Sequence, residues 1–266
     1  MEKKMLGAII GDIVGSRFEW RNIKSKEFEF FHKDCFFTDD TVMTVAVADA
    51  IMRANKEIET LANYAVESMQ LIGRPYPKCG YGGNFYYWIY SDNPKPYGSF
   101  GNGAAMRVSA CGFVANSLEE VMELSNAVTE VTHNHPEGLK GAEATAVAVF
   151  MAKSGYKKEE IKEYIVDNYY DMDFTLDEIR KSYTFDVSCQ GSVPQALEAF
   201  FESESFEDAI RNAISIGGDS DTIAAITGGV AETYYGIPEE MAEKAKEYLD
   251  EELLEVVERF YDFCKK

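Results

Sequence analysis

The stretch Phe36-Phe37-Thr38-Asp39-Asp40-Thr41-Val42-Met43-Thr44-Val45-Ala46-Val47-Ala48-Asp49-Ala50-Ile51 sets two adjacent carboxylates between two hydroxyls, directly before an apolar run. A short side-chain oxygen accepts from the free amides of a first helical turn, so Thr38 or Asp39 is expected as the N-cap of a helix. The residues that follow are small and apolar, so that helix is expected to be buried. Asp39 and Asp40 then stand at the mouth of a buried helix. Neighbouring carboxylates near a core repel each other and lose hydration. Protons, arginines or a metal would compensate. Taken alone, the stretch also fits a plainer reading, with one aspartate capping and the other solvated.

Near the other end the chain reads Ile216-Gly217-Gly218-Asp219-Ser220-Asp221-Thr222-Ile223-Ala224-Ala225-Ile226-Thr227-Gly228-Gly229-Val230. The grammar repeats: carboxylates and a hydroxyl, then an apolar helix of small residues. Two acidic helix mouths form one all-oxygen site if the fold brings them together. Such oxygens suit hard divalent cations. Four carboxylates exceed the need of one ion, so a two-metal cluster is the simplest expectation. An EF-hand starting at Asp219 fails, because its sixth position is Ala224 and its twelfth is Val230. A phosphatase DxDxT nucleophile also fits poorly, since the spacing here is DxDT and no apolar strand precedes it.

The bulk numbers narrow the class. The 266 residues are ample for a large core, and 46% hydrophobic content is ordinary for a globular chain. A net charge of −20 argues against general nucleic-acid binding, which needs a basic surface. The surplus acid, as in Glu239 to Glu258, reads as a solvated face. Five dispersed cysteines without a CxxC pair suit a reducing cytoplasm. Lys3, Lys4 and the short apolar run to Gly11 do not make a signal peptide, because Asp12 ends the run early. No uncharged apolar run is long enough to span a bilayer.

Most of the chain reads as helix, with no run of alternating strands. Met5 to Trp20 is expected as one helix, with Gly7, Gly11 and Gly15 forming a face for close backbone approach. Glu19 by itself reads as a surface residue. Residues 21 to 35 read as a loop with extended pieces at Glu27 to Phe31. Glu57 to Gly73 is amphipathic. From Pro75 to Gly103, glycine, proline and aromatic residues predict a long ordered loop, whose rings either stack on a base or pin the loop.

Gly101-Asn102-Gly103-Ala104-Ala105-Met106-Arg107 is expected to open a helix whose amides hold an anion such as phosphate. A dinucleotide fingerprint is rejected there, because the third glycine and the preceding strand are missing. Helices are expected over Leu118 to Val131, Leu139 to Met151 and, in polar pieces, 155 to 182. Thr132-His133-Asn134-His135-Pro136 lies between the first two. Without a surrounding ligand quartet, its histidines suit hydrogen bonding to substrate or backbone better than a metal pair. Pro194 is expected early in a helix, where its missing amide is harmless. Phe206 to Ile216 and Pro238 to Lys265 complete the helical reading.

Five pieces together resemble the ADP-ribosylglycohydrolase family: Gly11-Asp12-Ile13-Val14-Gly15 with Glu19, Phe37-Thr38-Asp39-Asp40-Thr41, the segment Gly101 to Arg107, Thr132-His133-Asn134-His135-Pro136, and Gly217-Gly218-Asp219-Ser220-Asp221-Thr222. They occur in the family's order and span residues 11 to 222. The resemblance implies an all-α, compact orthogonal multi-helix bundle over residues 1 to 266, with two Mg2+ (or Mn2+) ions. It implies Thr38, Asp39, Asp40, Asp219, Asp221 and Thr222 as metal ligands, and Asp39, Asp40 and Glu19 as catalytic residues. Ser99, Gly101, Asn102, Gly103, Met106 and His133 would bind the substrate. The implied reaction is hydrolysis of the C1″ glycosidic bond between ADP-ribose and an acceptor.

The His-Asn-His-Pro piece is similar to the arginine-directed branch of the family, so ADP-ribosylarginine in proteins is the expected substrate. O-linked ADP-ribose on serine or a small molecule, hydrolysis of a free nucleotide-sugar or phosphoester, and non-catalytic ADP-ribose binding are the alternatives. The expected partner is an ADP-ribosylated protein or small-molecule conjugate, with no membrane. A cytoplasmic monomer is expected.

Overall fold

The computed structural model describes residues 5–265. Lys3 and Lys4, used in reading the amino terminus, lie outside them. Among the described residues the fold is all-α, and its sole extended pairing is an isolated bridge between Gly101 and Ser188. The helices are α1 (Gly7–Gly15), α2 (Asp39–Ala54), α3 (Ile58–Gly73), α4 (Gly83–Ile89), α5 (Ser109–Val114), α6 (Leu118–Thr129) and α7 (Pro136–Lys153). They continue as α8 (Lys158–Asn168), α9 (Leu176–Ile179), α10 (Cys189–Phe201), α11 (Phe206–Ser215), α12 (Ser220–Tyr235), α13 (Glu239–Lys246) and α14 (Glu251–Cys264). One apolar cluster runs from Met5 to Phe260.

Two buried helices organise the rest. Every residue of α1 is buried, and so is α12 from Ser220 to Thr233. Their contact is built on the glycine face. A β-carbon at Gly7 would lie 2.7 Å from Glu232 Cβ, one at Gly11 2.6 Å from Ala225 N, and one at Gly15 2.6 Å from Asp221 Cα. No side chain fits there, so the backbones meet directly. The Gly7 amide also donates to Glu232 Oε2 at 2.6 Å. Around this pair α12 packs on α7, α10 and α11, while α2 packs on α1, α3 and α14.

Several local expectations are corrected. The first helix stops at Gly15 and passes into a 3-10 turn at Ser16–Phe18, leaving Glu19 and Trp20 beyond it. The expected loop over residues 21 to 35 is present, with no strand at 27–31. The Lys26 and Phe28 carbonyls accept from Arg211 Nη1 at 2.9 and 2.8 Å, so this backbone is satisfied without a strand partner. The loop from Pro75 to Gly103 contains α4, whose Phe85, Trp88 and Ile89 bury one face. The segment Gly101 to Arg107 forms a 3-10 turn at Asn102–Ala104, and α5 starts only at Ser109. Pro194 is the sixth residue of α10, not an early one. Its missing bond falls on the carbonyl of Gln190, an exposed residue that water can reach.

Candidate active site

The amino-terminal ends of α2 and α12 open into one cavity of about 420 Å³. Thr38 is the N-cap of α2, and its hydroxyl accepts from the Asp40 amide at 3.3 Å. Asp39 and Asp40 follow in the first turn. On the other side, Gly217 and Gly218 both take positive φ, 68° and 80°, and turn the chain so that Asp219 starts α12. Glycine adopts that conformation without steric cost. Asp40 is 3% exposed and Asp221 3%, while Asp39 and Glu19 still meet solvent.

Asp12, on α1, holds the α2 mouth in place. Its Oδ1 accepts from the Thr38 hydroxyl at 2.7 Å, and its Oδ2 accepts from the Thr38 amide at 2.8 Å and the Thr41 amide at 3.0 Å. The Thr41 hydroxyl also donates to Oδ2. Four donors hold this carboxylate, so it anchors the start of α2. The Thr222 hydroxyl of α12 reaches across to Asp40 Oδ2 at 3.2 Å.

The carboxylates form two sets. One oxygen each from Asp12, Asp40 and Asp221 lie within 4.8 Å of one another, and so do oxygens of Glu19, Asp219 and Asp221. Asp221 belongs to both. Asp40 Oδ1 is buried with no hydrogen-bond partner. An orphaned carboxylate oxygen beside other carboxylates fits a cation, and an all-oxygen donor set fits a hard one. Burial pushes Asp12 up to about 6. Burial, Asp219 and Asp12 push Glu19 up to about 7. Burial, with Asp12, Asp219 and Glu19 nearby, pushes Asp39 up to about 8. Asp40, Asp219 and Asp221 are raised too, first by burial. No arginine or lysine is within ion-pair distance of them among the described residues.

The glycine-rich segment also lines the cavity. Ser99, Gly101, Asn102, Gly103, Met106 and His133 all line the same cavity as the acidic residues. Asn102 turns its side-chain amide inward, donating to Asp219 Oδ2 at 2.7 Å and Ser192 Oγ at 3.1 Å. It therefore links the glycine segment to the acidic mouth. His133 is buried, whereas His135 is exposed and caps α7 by accepting from the Glu137 amide at 3.1 Å. The two histidines have separate roles, and neither joins a carboxylate set.

Asp12 has a role that the sequence pattern does not announce. Its signal was faint: a lone carboxylate inside an otherwise apolar buried helix. Trp20, Phe185 and Arg107 also line the cavity, and no sequence motif assigns them a role. Trp20 and Phe185 stack with ring centroids 5.1 Å apart, and Trp20 is 78% exposed.

The family model for ADP-ribosylglycohydrolase matches residues 3–266. The chain belongs to the ADP-ribosylglycohydrolase family. ADP-ribosylhydrolase ARH3 of Xenopus tropicalis is 25% identical over 319 residues, covering 93% of this chain and 91% of the relative. ADP-ribosylarginine hydrolase Tri1 of Pseudomonas putida is 27% identical over 269 residues, covering 90% of this chain and 72% of the relative. A solved structure described as an ADP-ribosylglycohydrolase-related protein complex aligns with a TM-score of 0.68 at 20% identity, covering 98% of this chain and 96% of that one. The all-α fold is therefore that of a glycohydrolase family. Among the described residues no helix is long and apolar enough to cross a membrane.

Proposed function

We propose that this protein removes ADP-ribose from a modified acceptor by hydrolysing the C1″ glycosidic bond, with two divalent cations, Mg2+ or Mn2+, in the acidic site. The observation that carries the reading is Asp221, shared by two carboxylate sets in a cavity that the glycine-rich segment also lines. Thr38, Asp39, Asp40, Asp219, Asp221 and Thr222 would hold the ions. When bound, the ions supply charge compensation to these carboxylates and Lewis acidity toward ribose hydroxyl oxygens.

The chain's own groups do the rest. Asp12 holds Thr38 and Thr41 at the start of α2, beside Asp40, whose Oδ1 has no hydrogen-bond partner among the described residues. Ser99, Gly101, Gly103 and Met106 line the wall that would hold the diphosphate and the distal ribose. Glu19 and Asp39 line the cavity, and a carboxylate there can take and return a proton. Either would take the proton of the attacking water. Holding ribose and water together converts a bimolecular step into a local one.

Arginine is the proposed acceptor. The Tri1 relative is named for that linkage. The exposed Trp20 ring beside Glu19 offers a planar, acid-flanked surface on which a guanidinium stacks. The deciding experiment offers proteins ADP-ribosylated on arginine or on serine, with Mg2+ and with EDTA. Metal-dependent release of ADP-ribose from the arginine substrate is expected. Release from serine alone would move the acceptor to an O-linkage, and no release from either would overturn the hydrolase reading.

A further inference from the structure

Arg107 is a fully buried guanidinium with no carboxylate partner among the described residues. It is 1% exposed and lines the cavity. Its Nη2 donates to Thr132 Oγ1 at 2.6 Å and lies 3.4 Å from His133 Nδ1. Thr132 Oγ1 lies 2.7 Å from the same Nδ1. A guanidinium only donates, so Thr132 Oγ1 accepts from it. The hydroxyl proton then has two possible acceptors. One is the Thr129 carbonyl at 3.4 Å, which already accepts the Thr132 and His133 amides. The other is Nδ1, much closer. The nearby Nη2 donor likewise favours a lone pair on Nδ1. A neutral imidazole with Nδ1 accepting carries its proton on Nε2.

That second nitrogen faces the glycine-rich segment. A β-carbon at Gly101 would lie 3.6 Å from Nε2, and one at Gly103 3.5 Å. Among the described residues Nε2 makes no hydrogen bond. Burial, with Arg107 next, drives the ring toward its neutral form. The Tyr97 ring is 5.9 Å from the imidazole, and no carboxylate touches it.

We infer that Arg107 and Thr132 are positioning residues that fix His133 as the Nε2–H tautomer, making it a permanent donor toward an anionic oxygen of the diphosphate held at the glycine segment. This rests on the function proposed above for the identity of the ligand, though not for the tautomer. In a site otherwise crowded with carboxylates, a neutral donor backed by a buried guanidinium supplies attraction for phosphate without pairing to the acidic residues. His133 so held does not act as a base.

The test combines a tautomer measurement with binding. Protein labelled with 15N-histidine has three histidines, and His133→Gln identifies the relevant signals. The wild type is expected to show one neutral Nε2–H form of His133 from about pH 6 to 8, with or without Mg2+. Thr132→Ser should preserve it. Thr132→Val should release the ring into mixed tautomers and weaken ADP-ribose binding about fivefold, the effect of one misdirected hydrogen bond. An Nδ1–H or imidazolium form in the wild type would overturn the inference, and this reading needs no variant to fold. Equal behaviour of Thr132→Val and Thr132→Ser would also overturn it. Failure of the wild type to bind ADP-ribose would sink the proposed function and the diphosphate as ligand, while the wild-type spectrum would still decide the tautomer.

Discussion

Gly15 of α1 lies against Asp221 of α12 so closely that a β-carbon on Gly15 would stand 2.6 Å from the Asp221 Cα. Asp221 is the carboxylate shared by both acidic sets. The site's geometry therefore depends on an absent side chain one helix away. Gly15→Ala is expected to destabilise the fold by about 1–3 kcal/mol through overpacking. It should also weaken Mg2+ binding by moving Asp221. Urea unfolding and Mg2+ calorimetry check the two effects. An unchanged metal affinity would show that the helix contact does not set the carboxylate positions.

Asp39→Asn removes a charge at the cavity wall without changing shape. Turnover is expected to fall by about 10²- to 10⁴-fold, the range for losing a group that moves a proton. ADP-ribose affinity should change far less. A protein that only binds ADP-ribose would show no turnover to lose, so single-turnover assays with direct binding separate the two.

Asp12→Asn has a different signature. The amide cannot accept all four donors from Thr38 and Thr41, and leaving buried donors unpaired costs about 1–3 kcal/mol. Thermal unfolding should register the loss even with EDTA present. Asp39→Asn, by contrast, should be neutral or stabilising in EDTA, because it relieves repulsion among the carboxylates.

Stability of the metal-free protein should fall as pH rises. Asp12, Glu19 and Asp39 sit at about 6, 7 and 8 in the fold, above their ordinary values of 3.8, 4.5 and 3.8. Between those limits the folded state holds more protons than the unfolded state, so unfolding free energy decreases with pH. The contribution is complete below about pH 4 and is lost by about pH 8. Bound Mg2+ should flatten the slope by compensating the ionised groups. Melting curves from pH 5 to 8, in EDTA and in Mg2+, test this; a rising EDTA curve would contradict the burial argument.

Trp20→Ala should lower kcat/KM for an arginine-linked substrate by about two- to fivefold, as for an exposed cation–π contact. Free ADP-ribose should bind as before. An equal loss for free ADP-ribose would place Trp20 on the ADP-ribose side of the cavity.

The helical class was legible because small apolar runs and caps such as Thr38 are local signals. The two acidic mouths were legible because the same order of carboxylates and hydroxyl before a run of small apolar residues occurs twice. The glycine face was legible as a close-packing surface. Its partner was not, since a spacing of four names no second helix. Helix α4 was hidden because its seven residues, four of them aromatic, have little intrinsic helix preference, and burial of Phe85, Trp88 and Ile89 made the choice.

By itself the sequence determined an all-oxygen chemistry, a helical fold and the ordered set of family motifs, since residue type and spacing fix donors and period. Tertiary structure decided which carboxylates share a centre. It brought Asp221 into both sets, spent Asp12 on Thr38 and Thr41, and turned the Asn102 amide onto Asp219. It also gave His133 the cavity and His135 the helix cap. These choices depend on distances between segments up to two hundred residues apart, which the packing of α1 on α12 sets and no local pattern contains.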